Sequence, residues 1–202
     1  WVGAAETLEA ARTARVLTVD GLRIGFLAYD GTRASFMATA EQRGCAWLEP
    51  DWVVVDVQNA RELVDILVVS FHWGAEYEPL PNDLQRTIAG RMADAGADIV
   101  IGHHPHVVQP VEWLWGEGRE RPTLVAYSLG NFLFDQWFSD ETMQSAIMHC
   151  TVGAAGVEAF SLHPVLNTDG RIDTADTANA GAVLGRLLPA TGGQGWQMVS
   201  PA

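Results

Sequence analysis

Residues 65–74 read DILVVSFHWG and residues 97–106 read ADIVIGHHPH, and these two stretches carry the strongest structural signal in the chain. Each opens with a continuous apolar run of strand length, which is typical of a strand covered on both faces of a sheet. Each run then ends in a loop that carries glycine and histidine. The pattern indicates two neighbouring parallel strands whose polar loops lie at the same edge.

The segment between these stretches predicts a helix over residues 83–95. Asn82 can cap its start and Gly96 can close its end. Strand, helix and strand in this order form a βαβ unit, in which ligand sites gather beyond the carboxyl ends of the strands. Both histidine-bearing loops fall at that edge. The apolar stripe of the helix is expected to consist of Leu84, Ile88, Met92 and Ala95.

The flanking sequence predicts further strands around this unit. Asp20-Gly21, the dipeptide most typical of a tight hairpin turn, separates apolar stretches at residues 15–19 and 22–29. Residues 53–64 fit either a strand or a helix, and we expect a helix over their later part. The remaining expectations are a short helix at 4–12, strands at 107–113, 123–128, 146–152 and 157–164, a turn at Asp169-Gly170, a helix at 177–188, and a loose Gly-rich tail at 189–202.

The composition narrows the classes of function. The 202 residues suffice for one domain with a substantial core, and 48% of them are hydrophobic, which excludes global disorder. The net charge of −13 argues against binding nucleic acid or an anionic membrane surface through a broad basic face. It also repels polyanionic substrates unless a metal cation or a local arginine cluster offsets it. The absence of lysine excludes Schiff-base catalysis.

Cys45 and Cys150 are the only cysteines and lie too far apart in the chain for a metal-ligand spacing. We favour two buried or inert thiols, with a single disulfide left open. No apolar run reaches the length of a membrane span. Because the chain opens at Trp1, we expect it to be the middle of a longer protein, in which any export signal or anchor would lie upstream.

The densest cluster of side chains that can carry chemistry is GHHPH, residues 102–106. Neutral imidazole is a ligand suited to Zn, Mn, Fe or Ni. In an extended conformation His104 and His106 would point the same way and His103 the opposite way. The alternative is a histidine-rich surface loop without a metal. Because His72 follows the neighbouring strand, we prefer the interpretation as a metal site.

His72 lies in the sequence HWGAEY, residues 72–77. Gly74 lets the backbone turn sharply or pass close to a ligand. Glu76 could orient an imidazole, contact substrate, or act as a general acid or base. A solvated loop carboxylate is an alternative of equal weight for Glu76. Trp73 is expected to pack in the core.

A third motif, SLGNFLFD at residues 128–135, follows another expected strand. Asn131 could donate hydrogen bonds to an oxyanion there, and Phe132 and Phe134 are expected in the core. The sequence contains no GxSxG elbow, Walker loop, Rossmann glycine pattern or HExxH motif.

At these same residues the sequence resembles the CapA-type capsule or poly-γ-glutamate biosynthesis proteins, whose domain is similar to calcineurin-like metallophosphatases. Three motifs in the right order carry the resemblance, and the opening over residues 3–29 is also similar. The motifs are DILVVSFHWGAEY at 65–77, AGADIVIGHHPHVVQP at 95–110 and AYSLGNFLFDQ at 126–136.

The resemblance implies an α/β fold, a metallophosphatase-like four-layer α/β/β/α sandwich over residues 1–188, with a metal site at one edge of its sheets. His72 corresponds to the histidine of the family's HWG motif, and His104 and His106 to the pair in its GxHPH motif. The resemblance further implies divalent metal ions (Mn, Zn or Fe), bound as a binuclear centre in the complete protein. It also implies a location at the cell envelope.

The sequence departs from the family at two places that contribute to this metal site. A strand ending in Gly-Asp and an Asn-Asn-His segment are both absent. We therefore expect a domain that is incomplete at its N-terminal side and supplies part of a binuclear site, which would bind metal weakly by itself. Attachment to a membrane would require a segment upstream of residue 1.

These expectations define one leading function and two alternatives. The leading function is capsule or poly-γ-glutamate biosynthesis by a protein with a metal-dependent phosphoesterase-like or hydrolase site, in which Glu76 and Asn131 lie near the substrate. Its partners would be an anionic polymer or its precursor and other capsule-synthesis subunits, and not nucleic acid. The alternatives are a non-catalytic accessory subunit of polymer synthesis or export, and an inactive fragment.

Overall fold

The structure is a computed structural model that describes residues 1–188. The tail expected at residues 189–202 lies outside the described residues. In chain order the elements are β1 (Ala4–Ala5), α1 (Leu8–Ala11), β2 (Arg15–Val19), β3 (Leu22–Asp30), a 3₁₀ turn (Ala34–Phe36), β4 (Gly44–Cys45), α2 (Pro50–Arg61), β5 (Ile66–His72), α3 (Asp83–Ala95), β6 (Ile99–His103), β7 (Val108–Leu114), β8 (Thr123–Leu129), α4 (Asp140–Met143), β9 (Gln144–Gly153), β10 (Gly156–Thr168), β11 (Arg171–Thr174) and α5 (Thr177–Leu187).

A six-stranded sheet with the spatial order β2-β3-β5-β6-β8-β7 forms the centre of the fold. Strands β3, β5, β6 and β8 are parallel, and β2 and β7 pair antiparallel at the two edges. The predicted βαβ unit is confirmed as β5, α3 and β6. Strand β5 also pairs with β3, so three parallel strands end side by side at one edge of the sheet.

Helix α3 begins and ends at the predicted residues because both of its ends are capped. The side chains of Asn82 and Gln85 each accept a hydrogen bond from the other's backbone N–H, and Gly96 closes the helix with a φ of 106°. The expected apolar stripe is wrong at its first position, because Leu84 is 52% exposed whereas Gln85 is buried. The Gln85 amide points inward and donates to the Gln109 side chain at 2.9 Å.

Helix α2 begins at Pro50, earlier than the sequence predicts. The run of β-branched valines in this segment weakens the helical pattern. Proline is nevertheless favourable in the first turn, because its missing N–H would have no partner there anyway. The expected short helix near the start is also shorter than predicted, since only Leu8–Ala11 is helical.

The two faces of the central sheet are covered differently. Helices α2 and α3 cover one face with a continuous apolar core. Strand β9 and helix α5 cover the other face at β7 and β8, where Leu124 packs near Val183 and Leu187 in a second core cluster. On that same face, Phe26 of β3 and Val68 of β5 are only half-buried.

A second, three-stranded sheet with the order β11-β10-β9 follows the central one in the chain. Helix α5 contacts β7 of the first sheet as well as β9 and β10 of the second. The predicted α/β class, with two sheets and flanking helices, is confirmed. In the part of the chain that the structure describes, no helix is both long and apolar enough to cross a membrane.

Gly102 in β6 occupies a position that leaves no room for a side chain. A Cβ atom there would overlap the Tyr127 carbonyl oxygen and Nε1 of Trp73, which hydrogen-bond to each other at 3.1 Å. Because a strand and a buried tryptophan would have to move, we expect Gly102→Ala to lower the free energy of unfolding by about 1–3 kcal/mol. Urea denaturation monitored by tryptophan fluorescence measures this change.

Gly90 provides the matched control. It lies inside α3, where an added Cβ atom meets no atom within 4 Å beyond the helix's own backbone. Gly90→Ala should therefore raise the free energy of unfolding by about 0.5–1 kcal/mol, because alanine loses less backbone entropy than glycine in a helix. Changes of the same sign in the two variants would contradict the packing argument.

Candidate metal centre

The carboxyl ends of three parallel strands meet at one edge of the central sheet. Asp30 at the end of β3 pairs with His72 at the end of β5, and His72 pairs with His103 at the end of β6. The rings of His72 and His104 lie 4.7 Å apart, centroid to centroid. The rings of His104 and His106 lie 6.0 Å apart. The structure thus brings together the three imidazoles that the sequence singles out.

The loop that carries these histidines is not extended, so the predicted geometry is wrong although the rings do meet. The backbone φ angles are 99° at His104 and 63° at His106. Residues other than glycine hold such angles at a cost of about 1–3 kcal/mol each, and they cluster at functional sites. The loop is fixed in place by a 2.8 Å hydrogen bond from the Tyr77 backbone N–H to the Pro105 carbonyl.

Glu76 joins this group from the loop that follows β5. Potential ligand atoms of Glu76, His104 and His106 all lie within 4.8 Å of one another. The sequence leaves open whether Glu76 orients an imidazole, contacts substrate, transfers a proton or is a solvated loop carboxylate, and this geometry also permits direct ligation of a metal. The loop is held by Gln109, whose side-chain amide donates to the Glu78 carbonyl at 2.9 Å.

Asp30 orients the imidazole of His72. Its Oδ1 lies 3.0 Å from His72 Nδ1 and accepts a 2.7 Å hydrogen bond from the Thr32 hydroxyl. Burial alone would raise the pKa of Asp30, but the hydrogen bonds from Thr32 and His72 outweigh it and hold this pKa below its usual range. An ionised Asp30 that accepts from Nδ1–H leaves the His72 Nε2 lone pair available for a cation.

Asn131 plays the corresponding part for His106. Its Oδ1 lies 2.8 Å from His106 Nδ1. The amide hydrogens are engaged by the Gln136 side chain at 3.2 Å and the Thr142 carbonyl at 3.1 Å. The sequence predicts that Asn131 donates to an oxyanion. In the structure both of its donors are occupied, so the geometry favours positioning of His106 instead.

The electrostatic environment favours neutral imidazole at the centre of the group. Burial, and then the neighbouring charge of His72, lowers the pKa of His104, despite the opposing effect of Glu76. Metal ligation requires the neutral ring. The two imidazoles of His104 and His106 and the carboxylate of Glu76 form a donor set that suits Zn, Mn or Fe, so these residues fit a divalent cation. His72 lies outside this group of three, although the centroid of its ring is 4.7 Å from that of His104.

Aromatic side chains form the rim of this site. The rings of Tyr77 and Phe134 lie 5.9 and 5.1 Å from the His106 ring. The prediction that Phe132 and Phe134 are core residues is wrong, because they are 53% and 44% exposed. Trp73 is buried as predicted. The prediction failed because an alternating apolar pattern, such as that of Phe132 and Phe134, does not distinguish a buried strand from an exposed apolar loop.

The sequence alone does not identify Asp30 and Thr32 as site residues. Asp30 could be found only from its position: it directly follows the apolar stretch at residues 22–29, and it lies at the same sheet edge as His72 because β3 pairs with β5. His103 lies next to His72 in the sheet but is exposed and outside the group formed by Glu76, His104 and His106.

The fold and the site together define the class of protein. It is an α/β protein with a candidate metal centre, built from histidines and carboxylates, at the carboxyl ends of its central strands. A family model described as "Bacterial capsule synthesis protein PGA_cap" matches residues 1–136. The chain belongs to this family.

Curated relatives agree with this membership. The chain is 37% identical over 166 residues to "PGA biosynthesis protein CapA" of Bacillus subtilis (strain 168), covering 81% of this chain and 42% of that protein. It is 34% identical over 170 residues to "Capsule biosynthesis protein CapA" of Bacillus anthracis, covering 82% of this chain and 40% of that protein. The chain thus spans less than half the length of these relatives.

Two further comparisons cover a smaller share of the matched protein. A "Probable polyglutamine synthesis accessory protein" of Mycobacterium tuberculosis is 36% identical over 126 residues, covering 55% of this chain and 32% of that protein. Among solved structures, a 5'-nucleotidase precursor from Thermus thermophilus gives a TM-score of 0.49 at 15% identity, covering 86% of this chain and 33% of that protein.

Proposed function

We propose that this chain supplies the histidine-bearing part of a divalent-metal site in a protein of capsule or poly-γ-glutamate biosynthesis, and that the complete protein uses this site for phosphoesterase-like hydrolysis. The observation that carries the proposal is the convergence of Glu76, His104 and His106, with ligand atoms within 4.8 Å of one another. The names of the relatives from the two Bacillus species support the biological role.

The residues around the proposed centre have separate tasks. His104 and His106 offer ring nitrogens, and His72 offers a third from the adjacent strand end. Asp30 and Asn131 fix the orientation of His72 and His106 through their Nδ1 atoms. When bound, a divalent cation would supply Lewis acidity and lower the pKa of water at the site.

Glu76 is the group proposed to move a proton or to complete the ligand set. Its side chain is exposed, so substrate and water can reach it. The exposed rings of Phe134 and Tyr77 would limit the directions from which a chain-like substrate approaches. The substrate proposed on family grounds is an anionic envelope polymer or its precursor, and a metal would offset the repulsion that a net charge of −13 exerts on it.

A non-catalytic accessory role is the second candidate. The observation that favours it is the description of the mycobacterial relative as an accessory protein of polyglutamine synthesis. In this role the same site would hold polymer at the cell envelope without cleaving it, alongside other subunits of the synthesis machinery.

One experiment separates these functions. The product of the complete reading frame is stripped with chelator, reloaded with Mn, Zn or Fe, and assayed for metal content and for hydrolysis of bis(p-nitrophenyl) phosphate and poly-γ-glutamate. Metal-dependent turnover that is lost in Glu76→Gln supports the enzyme. Stoichiometric metal without turnover of any ester or amide supports the accessory role. Failure to retain any of the three metals would refute the site itself.

A further inference from the structure

A second polar site lies at the opposite end of the central sheet. Three arginines, Arg61, Arg119 and Arg121, line a cleft of about 640 Å³ together with Glu120 and the β9–β10 turn. The cleft lies beside the amino ends of β5, β6 and β8, whereas the histidines follow the carboxyl ends of β5 and β6. Strands of this length separate the two sites by roughly 20 Å.

Two of these arginines are fixed by one buried carboxylate. Asp98, with a side chain only 1% exposed, forms ion pairs with Arg61 at 2.5 Å and with Arg121 at 2.9 Å. Arg121 also donates to the Ala154 and Asp65 carbonyls at 3.1 Å each. Because each guanidinium group is paired with Asp98 and also donates to backbone carbonyls, Arg61 and Arg121 are held in place and contribute mainly charge to the cleft.

Arg119 is different, because most of its donors are free. Within residues 1–188 it forms no ion pair, and its side chain makes one long hydrogen bond, 3.4 Å to the Gly96 carbonyl. Burial lowers the pKa of Arg119; the Asp98 carboxylate opposes this effect, and the positive charges of Arg121 and Arg61 add to it. A guanidinium that is crowded by like charges gains from an anion nearby.

The charge balance of the cleft also contrasts with that of the whole chain. Three guanidinium groups face the carboxylates of Asp98 and Glu120, in a protein whose net charge is −13. The adjacent Asp65 carboxylate is already paired with Arg23 at 2.8 Å. An excess of positive charge therefore remains at a concave surface, although acidic residues dominate the rest of the molecule.

We propose that this cleft binds an oxyanion, a carboxylate or phosphate group, through Arg119, with Arg61 and Arg121 supplying fixed positive charge. The planar fork of a guanidinium matches both groups through two parallel hydrogen bonds. The site does not depend on the metal centre or on the proposed hydrolysis.

The test is a titration at low ionic strength of the 202-residue chain, which is first stripped of metal with EDTA and then dialysed free of it, so that neither metal nor chelator contributes. Inorganic phosphate and tri-γ-glutamate serve as separate probes, followed by calorimetry and by the guanidinium NMR signals of arginine. Arg119→Gln should weaken binding about 10-fold or more, because hydrogen bonds to charged groups are among the strongest a protein makes. A response to phosphate alone identifies a phosphate site, and tighter binding of tri-γ-glutamate identifies a polymer carboxylate site.

Two further variants keep the test decisive. Arg171→Gln removes the same charge from an exposed pair on β11, where Arg171 is 78% exposed, and should leave the affinity unchanged. Glu120→Gln removes the opposing carboxylate and should tighten binding a few-fold, which a misfolded variant would not do. Equal losses in both arginine variants, or no saturable binding of either probe, would overturn the proposal.

Discussion

Replacing His104 and His106 with alanine is expected to reduce the affinity for divalent metal by roughly 100-fold or more, beyond the 10–100-fold that loss of an outer hydrogen-bond partner costs. The two rings and Glu76 place ligand atoms within 4.8 Å of one another, so the double variant leaves only one member of this group. Elemental analysis after dialysis, together with calorimetric titration of Mn and Zn, measures the loss.

His103→Ala is the matched control for the double variant. His103 belongs to the same loop motif but is exposed and outside the ligand group, so this variant should bind metal as the parent does. Asn131→Ala should fall between the two, because it removes the acceptor of the 2.8 Å bond from His106 Nδ1 but leaves both histidine rings in place. An equal loss in all three variants would indicate general damage to the loop and contradict the assignment of ligands.

Asp98→Ala is expected to destabilise the fold by about 3–5 kcal/mol, the usual cost of removing one partner from a buried ion pair. The change leaves Arg61 and Arg121 without their carboxylate, and it leaves the Leu67 backbone N–H, which donates to Asp98 Oδ2 at 2.7 Å, without an acceptor. Thermal and urea denaturation measure the loss.

Asp173→Ala provides the comparison on the surface. Its pair with Arg171 is 3.2 Å long, with the two side chains 57% and 78% exposed. Exposed pairs contribute about 0–1 kcal/mol, so this variant should unfold close to the parent. A loss below about 1 kcal/mol in Asp98→Ala would mean that water reaches the buried pair and replaces its partners.

The sequence predicts the central unit well because its signals are local. The apolar runs that form β5 and β6 are bounded by polar loops, and α3 carries both of its caps in its immediate flanks. Helix α2 is less predictable, because its valines fit a strand as well as a helix and only Pro50 marks its start. The inward direction of Gln85 depends on Gln109, a residue 24 positions away in the chain.

The candidate site is predictable in its histidines but not in its geometry. His72, His104 and His106 follow from strand ends and motif spacing. Asp30 requires knowledge that β3 pairs with β5, which no local pattern contains. The backbone angles at His104 and His106 could not be derived either, because surrounding contacts impose them against the intrinsic preference of the residues.

The positive φ angles at His104 and His106 have a consequence for engineering this protein. Glycine adopts such angles without the steric penalty that histidine carries, but glycine has no side chain to offer a cation. Heat resistance and cation retention therefore favour different residues at the same two positions. Directed evolution for thermal tolerance alone would tend to discard the imidazoles, so a useful selection scheme must reward both properties at once.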